Sequence, residues 1–314
     1  MGSSLRPDIA RLEAVLDAPP LTRFAPSPTG FLHLGHVVNA IYVWGIARAL
    51  GGRVLLRVED HDRIRSRPEY EAALLRDLEW LGFEPDAGRA PLLRQSDTPS
   101  VYEDAIAQLR ATTEVYVCEC SRKDIGGERY DSRCRQRSLS PGPGRGLRVR
   151  LAGGTEKFED ALLGPLMQVP AEQCGDLLVR DRDGHWTYQL AVTVDDMRQS
   201  VTLVIRGSDL VSSTGRQIQL ARMLGRRNAP IFLHHPLIHD ERGEKLSKSA
   251  GDTGVRDLRS AGLSAPEVIG LAAYQVGLIG ARESIGASEV AGLFRAGSPQ
   301  PSTLTPGNPE PGTA

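Results

Sequence analysis

The sequence predicts an α/β fold built on a doubly wound parallel sheet, and three observations carry that expectation. A loop with two prolines and two glycines, between Arg23 and His36, runs straight into an apolar, helix-like stretch. Behind it stands a strand-like segment, Arg53 to Val58, ending in the acids Glu59 and Asp60. Much further on, after a cysteine- and arginine-bearing segment poor in apolar residues, strand and helix patterns resume from Trp186 to His235. Strand, glycine-containing loop, helix and strand in that order open a doubly wound sheet, whose ligands bind beyond the carboxyl ends of the strands.

Composition sets the frame for these elements. The chain has 314 residues, 40% hydrophobic and 25% charged, enough for one large or two modest domains with a sizeable core. No uninterrupted apolar stretch approaches the ~20 residues that span a bilayer, and residues 1–20 carry Arg, Asp and Glu in place of a signal-peptide core. The expected location is the cytosol. A net charge of -1 gives no global attraction to nucleic acid, so any such contact has to be local. Arg122 to Arg150 holds eight arginines and one lysine against Asp124, Glu128 and Asp131, and Arg216, Arg222, Arg226 and Arg227 form a smaller cluster. Either could meet a phosphate backbone or form a solvated face.

Residues 1–20 hold one amphipathic stretch, Ile9 to Leu16, closed by Asp17-Ala18-Pro19-Pro20, and read as an N-terminal extension. In the loop from Arg23 to His36, prolines and glycines fix the backbone and keep side chains out of a ligand's way. The helix behind it, Val37 to Leu50 with a Gly51-Gly52 stop, would turn free N–H groups toward a phosphate, and His33 and His36 add donors. ATP is the ligand this suggests. Pro68 opens a helix whose Tyr70, Ala73, Leu74, Leu78 and Leu81 form a core stripe before Gly82 stops it. A further amphipathic segment, Tyr102 to Leu109, leads to a short strand, Val115 to Val117, that delivers Cys118.

Cys118, Cys120, Tyr130 and Cys134 could place three thiolates and a phenolate around one structural zinc, stapling an insertion without a core of its own. Free structural thiols are the plainer alternative, and Cys174 could replace Tyr130, whose high proton affinity makes it an uncommon ligand. Ser138 to Gly146 predicts a mobile loop, and Leu147 to Val179 short strands and turns. Trp186 to Val192 fits a strand or the start of a helix, Val201 to Ile205 a strand ending at Arg206, Ser213 to Leu224 a helix and Ile231 to His235 a strand. Lys245-Leu246-Ser247-Lys248-Ser249 sits among glycines and serines, free to close over phosphates. Ser264-Ala265-Pro266-Glu267 starts a capped helix through Val276, a shorter helix spans Ser288 to Phe294, and 297–314 should be disordered.

The loop Arg23-Phe24-Ala25-Pro26-Ser27-Pro28-Thr29-Gly30, continued to His33-Leu34-Gly35-His36, resembles the signature loop of class I aminoacyl-tRNA synthetases in its glutamyl form. The segment from Lys245 to Ser249 resembles the lysine loop that completes the ATP site in that class, and Arg57 to Asp62 and Trp186 to Arg206 also read like glutamyl-enzyme segments. The resemblance covers roughly residues 20–250 and implies a Rossmann-type catalytic domain, ATP with Mg²⁺, and L-glutamate as substrate. His33, His36 and Lys248 would be catalytic, with Gly35 and Lys245 also at the ATP. Phe24, Ala25, Pro26, Ser27, Glu59 and Tyr188 would line the glutamate site. Arg23 and Arg206 would supply two cations for glutamate's two carboxylates, a geometry that discriminates against glutamine.

The resemblance also raises the zinc reading, since truncated glutamyl-type enzymes carry a Cys-x-Cys, Tyr, Cys site in this region. Leu210 is a departure, because discriminating glutamyl-tRNA synthetases often have tryptophan there. About 65 residues beyond the lysine loop leave no room for an anticodon-binding domain. In the truncated branch of the family the acceptor is queuosine at the wobble position of tRNA(Asp), and a monomer acting on that RNA is the expectation. A short glutamyl-tRNA synthetase charging a 3′ end, or a nucleotide-binding regulator without catalysis, are the alternatives. The boundaries this implies are an extension over 1–20, catalytic halves over 21–117 and 181–255, the zinc-bearing insertion over 118–180, a helical region over 256–296 and the tail.

Overall fold

The computed structural model describes residues 5–127, 129–238 and 254–295. The first elements are α1 (Ile9–Val15), β1 (Leu21–Phe24), α2 (Leu34–Ala49), β2 (Arg53–Val58), α3 (Pro68–Leu81), β3 (Leu93–Arg94) and α4 (Ser100–Thr112). Next come β4 (Val115–Cys118), α5 (Arg122–Ile125), β5 (Gly146–Val149), β6 (Glu156–Asp160), β7 (Gly164–Gln168), α6 (Pro170–Gln173) and β8 (Leu177–Arg180). The remainder is α7 (Tyr188–Arg198), β9 (Leu203–Gly207), α8 (Thr214–Met223), β10 (Ile231–His235), α9 (Val255–Ser260) and α10 (Ala265–Gln275).

Strands β1, β2 and β3 run parallel, as do β9, β10 and β6, with β7 antiparallel at the far edge. The two groups meet where the Thr202 amide donates to the Leu21 carbonyl at 2.9 Å, which sets β1 beside β9. Strand order reverses at that seam. A crevice therefore opens there beyond the carboxyl ends of β1 and β9, where an open α/β sheet binds its ligand.

Helix α2 lies at the centre of the larger core and is buried on nearly every side, including Val37, Ile41, Val43, Ile46 and Ala47. Such an all-round apolar helix can only be interior. Gly82 ends α3 in the left-handed conformation (φ 81°), as the sequence predicts. The capping box of Ser264 and Glu267 starts α10 as expected, while the final segment is a 3₁₀ helix, Val290–Phe294.

At Trp186 to Val192 the structure takes one of the two alternatives read from the sequence, and two further places differ from that reading. Trp186 to Val192 resolves as the start of helix α7, because Thr187 takes the N-cap position and the apolar residues behind it repeat at helical spacing. Strand β9 spans Leu203–Gly207, so Arg206 is its penultimate residue instead of closing it. Strands β6 and β7, within 118–180, form a hairpin on β10 and so extend the parallel sheet, whereas β4 pairs with β5 and β5 with β8 in a separate antiparallel sheet. Among the described residues the apolar cluster around the cysteines is Tyr116, Cys118, Tyr130 and Cys134 with a few half-buried neighbours, so this segment has almost no core of its own.

Candidate active site

The crevice holds a cleft of about 530 Å³, walled by the loop after β1, the start of α2, and the ends of β2, β9 and β10. Among the described residues it gathers Arg23, Phe24, Ala25, Pro26, Ser27, His33, Gly35, His36, Glu59, Tyr188 and Arg206, the residues singled out from the sequence. The Phe24 ring itself is buried against Trp44, 5.2 Å between centroids. Lys245 and Lys248 lie outside the described residues. The chain leaves for that segment from Leu237 and Ile238 on the cleft wall and returns at Gly254, which bridges to His33.

His33 is the N-cap of α2, and its Nδ1 accepts from the Gly35 amide at 3.1 Å. Reciprocally, the His33 amide donates to Nδ1 of His36 at 3.1 Å. A backbone N–H can only donate, so both Nδ1 atoms act through lone pairs and each neutral ring carries its proton on Nε2. Sequence supplied the two histidines, and the cap supplies their tautomers. A Cβ at position 35 would stand 2.9 Å from Cε1 of His33, so any larger residue than Gly35 would push that ring out of its cap position.

The glutamate-side residues belong to a buried charge network. Arg23 reaches from β1 with Nε on both carboxylate oxygens of Asp196 (3.1 and 3.2 Å) and one terminal nitrogen on the Ile205 carbonyl (3.0 Å), leaving the other terminal nitrogen for the cleft. Arg57, 1% exposed, pairs with Glu59 at 2.8 Å and Asp196 at 2.9 Å. Burial acts to lower its pKa, but Asp196, Glu59 and Asp195 raise it, so it stays charged. Burial likewise acts to raise the Asp196 carboxyl, and Arg23 and Arg57 overcome it and hold it low. The Glu59 amide donates to the Pro26 carbonyl at 3.0 Å, tying the signature loop to the end of β2. Asp60, by contrast, accepts from the Ser96 amide at 2.9 Å and serves the turn.

Arg206 differs from Arg23 and Arg57, which pair with buried acids. It is 3% exposed, and its hydrogen-bond partners are all neutral or shared: His234 Nε2 (3.0 Å), Gln217 Oε1 (2.7 Å), Thr214 Oγ1 (2.9 Å) and, weakly, the Tyr188 hydroxyl (3.5 Å). Burial lowers its pKa. Because Arg206 Nε donates, His234 Nε2 accepts, so Nδ1 of His234 carries the proton and donates to Asp160 at 2.6 Å. Asp160, His234 and Arg206 thus form a buried relay that fixes the guanidinium at the cleft wall. A buried cation without a close carboxylate calls for an anionic ligand.

Sequence reasoning missed Asp160, Asp196, His234, Gln217 and Thr214. Two adjacent acids within the apolar helix α7 were the available signal for Asp196. Two further cleft atoms, Asn39 Oδ1 and His235 Nε2, are buried acceptors without a partner among the described residues. The His235 Nδ1–H donates to the Pro236 carbonyl at 2.8 Å, and burial pushes the ring's pKa down to about 4. With the folded pKa below the unfolded 6.5, the native state resists a proton that the unfolded chain accepts. Acidification from pH 6.5 to about 4 should therefore cost up to about 3 kcal/mol through His235. Urea denaturation against pH checks this, and His235→Asn should flatten that slope.

In the insertion, the three sulfurs of Cys118, Cys120 and Cys134 lie within 4.8 Å of one another, with Cys120 and Cys134 at 3.5 Å. The Tyr130 hydroxyl stands 3.4 Å from the Cys118 sulfur. Tetrahedral zinc, with bonds of ~2.3 Å to sulfur and ~2.0 Å to oxygen, sets S···S separations of about 3.8 Å and S···O separations of about 3.5 Å, so the donor set fits that ion. Burial raises the Tyr130 phenol, whose oxygen would ligate as phenolate only once a dication draws off its proton. Arg148 donates to the Cys118 sulfur at 3.3 Å and stacks over the Tyr130 ring at 3.7 Å, a buried cation that offsets thiolate charge. Cys174 does not join them; its sulfur donates to the Pro170 carbonyl at 3.3 Å in the core of α4, α7 and α8.

The family model for the catalytic domain of class I tRNA synthetases (E and Q) matches residues 21–269. The chain is 39% identical over 282 residues to the glutamyl-Q tRNA(Asp) synthetase of Nitratidesulfovibrio vulgaris, an alignment covering 82% of this chain and 86% of that one. It is 39% identical over 297 residues to the enzyme of the same name from Symbiobacterium thermophilum, with 87% and 91% covered. A glutamate–tRNA ligase from Syntrophobacter fumaroxidans is 40% identical over 257 residues, but the alignment spans only 54% of that ligase. Among solved structures, a glutamate tRNA ligase from Elizabethkingia meningosepticum in complex with its amino acid superposes with a TM-score of 0.74 at 26% identity, covering 88% of this chain and 65% of that one.

Proposed function

The chain belongs to the class I tRNA synthetase (E and Q) catalytic-domain family, a family of ligases, and on that premise we propose that it activates L-glutamate with ATP, without RNA present, and transfers it to queuosine at the wobble position of a tRNA(Asp). The observation that carries the activation half is Arg206, a buried guanidinium held by neutral groups at the wall of a cleft that also presents Arg23, Glu59 and Tyr188. Arg23 and Arg206 provide cations for the two carboxylates and Glu59 an anion for the ammonium group. A glutamine amide cannot accept the same paired donors, so the site favours glutamate.

The glutamate α-carboxylate oxygen attacks the α-phosphorus of ATP in line, and the bond to pyrophosphate breaks. The Nε2–H groups of His33 and His36, at the N-terminus of α2, donate to phosphate oxygens as negative charge builds there. Lys245 and Lys248 have the same role in this reading. Mg²⁺, bound with ATP, neutralises phosphate charge. A queuosine hydroxyl then attacks the activated carbonyl, and AMP leaves with the electron pair as the hydroxyl loses its proton. The acceptor half is supported by the names of the relatives that align with this chain over most of their length.

One experiment tests the acceptor. Labelled glutamate should enter queuosine-containing tRNA(Asp) even after the 3′ terminal nucleotides are removed, and nuclease fragments should place it in the anticodon loop. Label on the terminal adenosine would establish the 3′-charging reading instead.

A further inference from the structure

The arginines between Arg122 and Arg150 do not form one basic face. Arg133 pairs with Asp131 at 2.8 Å, Arg135 with Asp176 at 2.6 Å and Arg137 with Glu119 at 2.6 Å, while Arg148 is buried on the Cys118 sulfur. Those charges are spent inside the insertion. Arg145 turns instead into a groove of about 580 Å³, which it shares with Arg110 of α4, Arg180 of β8 and Arg182 of the following turn. Among the described residues the acids on the groove walls are Glu103 and Asp183, and Glu119 faces Arg145 at 3.8 Å from beside the groove.

Three of the four guanidinium groups are oriented by backbone carbonyls. Arg145 donates to the Ser140 carbonyl at 2.6 Å, Arg180 Nε to the Gly184 carbonyl at 2.9 Å and Arg182 Nε to the Gly144 carbonyl at 2.8 Å. Carbonyl partners fix an arginine and leave its charge and remaining N–H donors for an anion. The carboxylates facing Arg145 and Arg180 stand off at 3.8 Å, and Arg110 and Arg182 have no ion pair among the described residues. Arg180 is further stiffened by stacking on Trp186, 4.9 Å from its ring centroid. Ile106, Val117 and Leu147 supply an apolar floor.

The cations come from separate segments spread along an open groove, which suits a chain of phosphates better than one small anion. Groove and cleft are neighbours along the chain: Gly184 on the groove wall and Tyr188 in the cleft are four residues apart, at most ~14 Å of chain. We propose that this groove seats the phosphate backbone of the acceptor RNA and delivers its reacting base to the cleft. The proposal rests on the reading above that an RNA is the acceptor.

The test is the double variant Arg110→Glu/Arg182→Glu, with queuosine-containing tRNA(Asp) as the probe in an anisotropy titration at several salt concentrations. RNA affinity should fall at least ~10-fold and the log–log salt slope become shallower by about 2. Glutamate-dependent pyrophosphate exchange without RNA should stay within about twofold, which also shows that the variant is folded. Arg133→Glu, at an arginine already paired, should leave affinity nearly unchanged. A double variant that binds the tRNA like the wild type, or Arg133→Glu weakening binding as much, overturns the groove. Binding is read separately from transfer, so a wild-type protein that binds the tRNA yet leaves queuosine unmodified counts against the acceptor reading alone.

Discussion

Replacing Arg206 with methionine is expected to lower glutamate-dependent pyrophosphate exchange by ~10²-fold or more while leaving the fold almost as stable as before. The reason is the mismatch between its burial and its partners. His234, Gln217 and Thr214 hold the guanidinium in place but none carries a negative charge, and Asp196 acts on it only from beyond hydrogen-bond contact. Taking away a buried cation that lacks an ion pair removes a desolvation penalty along with the hydrogen bonds. Arg57→Met should behave in the opposite way. It would leave Glu59 buried without its ion pair and reduce Asp195 and Asp196 to their pairs with Arg198 and Arg23, at a cost of roughly 3–5 kcal/mol of stability. Arg206→Lys should recover little of the exchange, because an ammonium cannot reproduce the planar fork held by three neighbours. Saturation curves in glutamate, alongside urea denaturation of each variant, separate the two arginines. Arg206→Met keeping exchange within threefold of the wild type would rule out the role given to it.

What the sequence made legible was whatever is encoded locally. The loop from Arg23 to His36, the α2 helix behind it and the Glu59 at the end of β2 are contiguous motifs with backbone consequences, and the cleft brings them together. Long-range pairing was not legible. Asp160 reaches His234 across 74 residues and Arg23 reaches Asp196 across 173, and nothing in either local pattern shows that an acid will be buried against its partner. The same limit explains the arginines. A cluster between Arg122 and Arg150 reads as a basic face because sequence counts charges, whereas the fold pairs Arg135 with Asp176, 41 residues away, and recruits Arg110, Arg180 and Arg182 to the groove. The β6–β7 hairpin was likewise hidden, since its place on β10 depends on tertiary pairing alone.

Purified protein is expected to carry one zinc per chain, and its loss should disable RNA transfer well before glutamate activation. Little else holds the segment around the cysteines: among the described residues its buried cluster is Tyr116, Cys118, Tyr130 and Cys134, too small to offset the entropy of ordering it, whereas Val149, Leu177 and Val179 of β5 and β8 pack into the core of α4, α7 and α8. Three sulfurs and a phenol at ligand spacing supply the missing stabilisation if a tetrahedral dication joins them. Strand β4, which delivers Cys118, pairs with β5, and β5 with β8, so the cysteine site braces the sheet that carries Arg145 and Arg180 to the groove. The cleft is built on the other sheet strands and should survive. Chelation, or Cys118→Ser, is therefore predicted to lower the melting temperature by ~10 °C and to reduce transfer to tRNA by ~10-fold or more, with exchange changed far less. Tyr130→Phe keeps the ring under Arg148 and removes only the oxygen, so it isolates the fourth ligand: zinc should be lost to a chelator ~10-fold more readily. Metal analysis finding less than half an equivalent, together with a Cys118→Ser variant as stable as the wild type, would mean that the thiols pack the insertion without a metal.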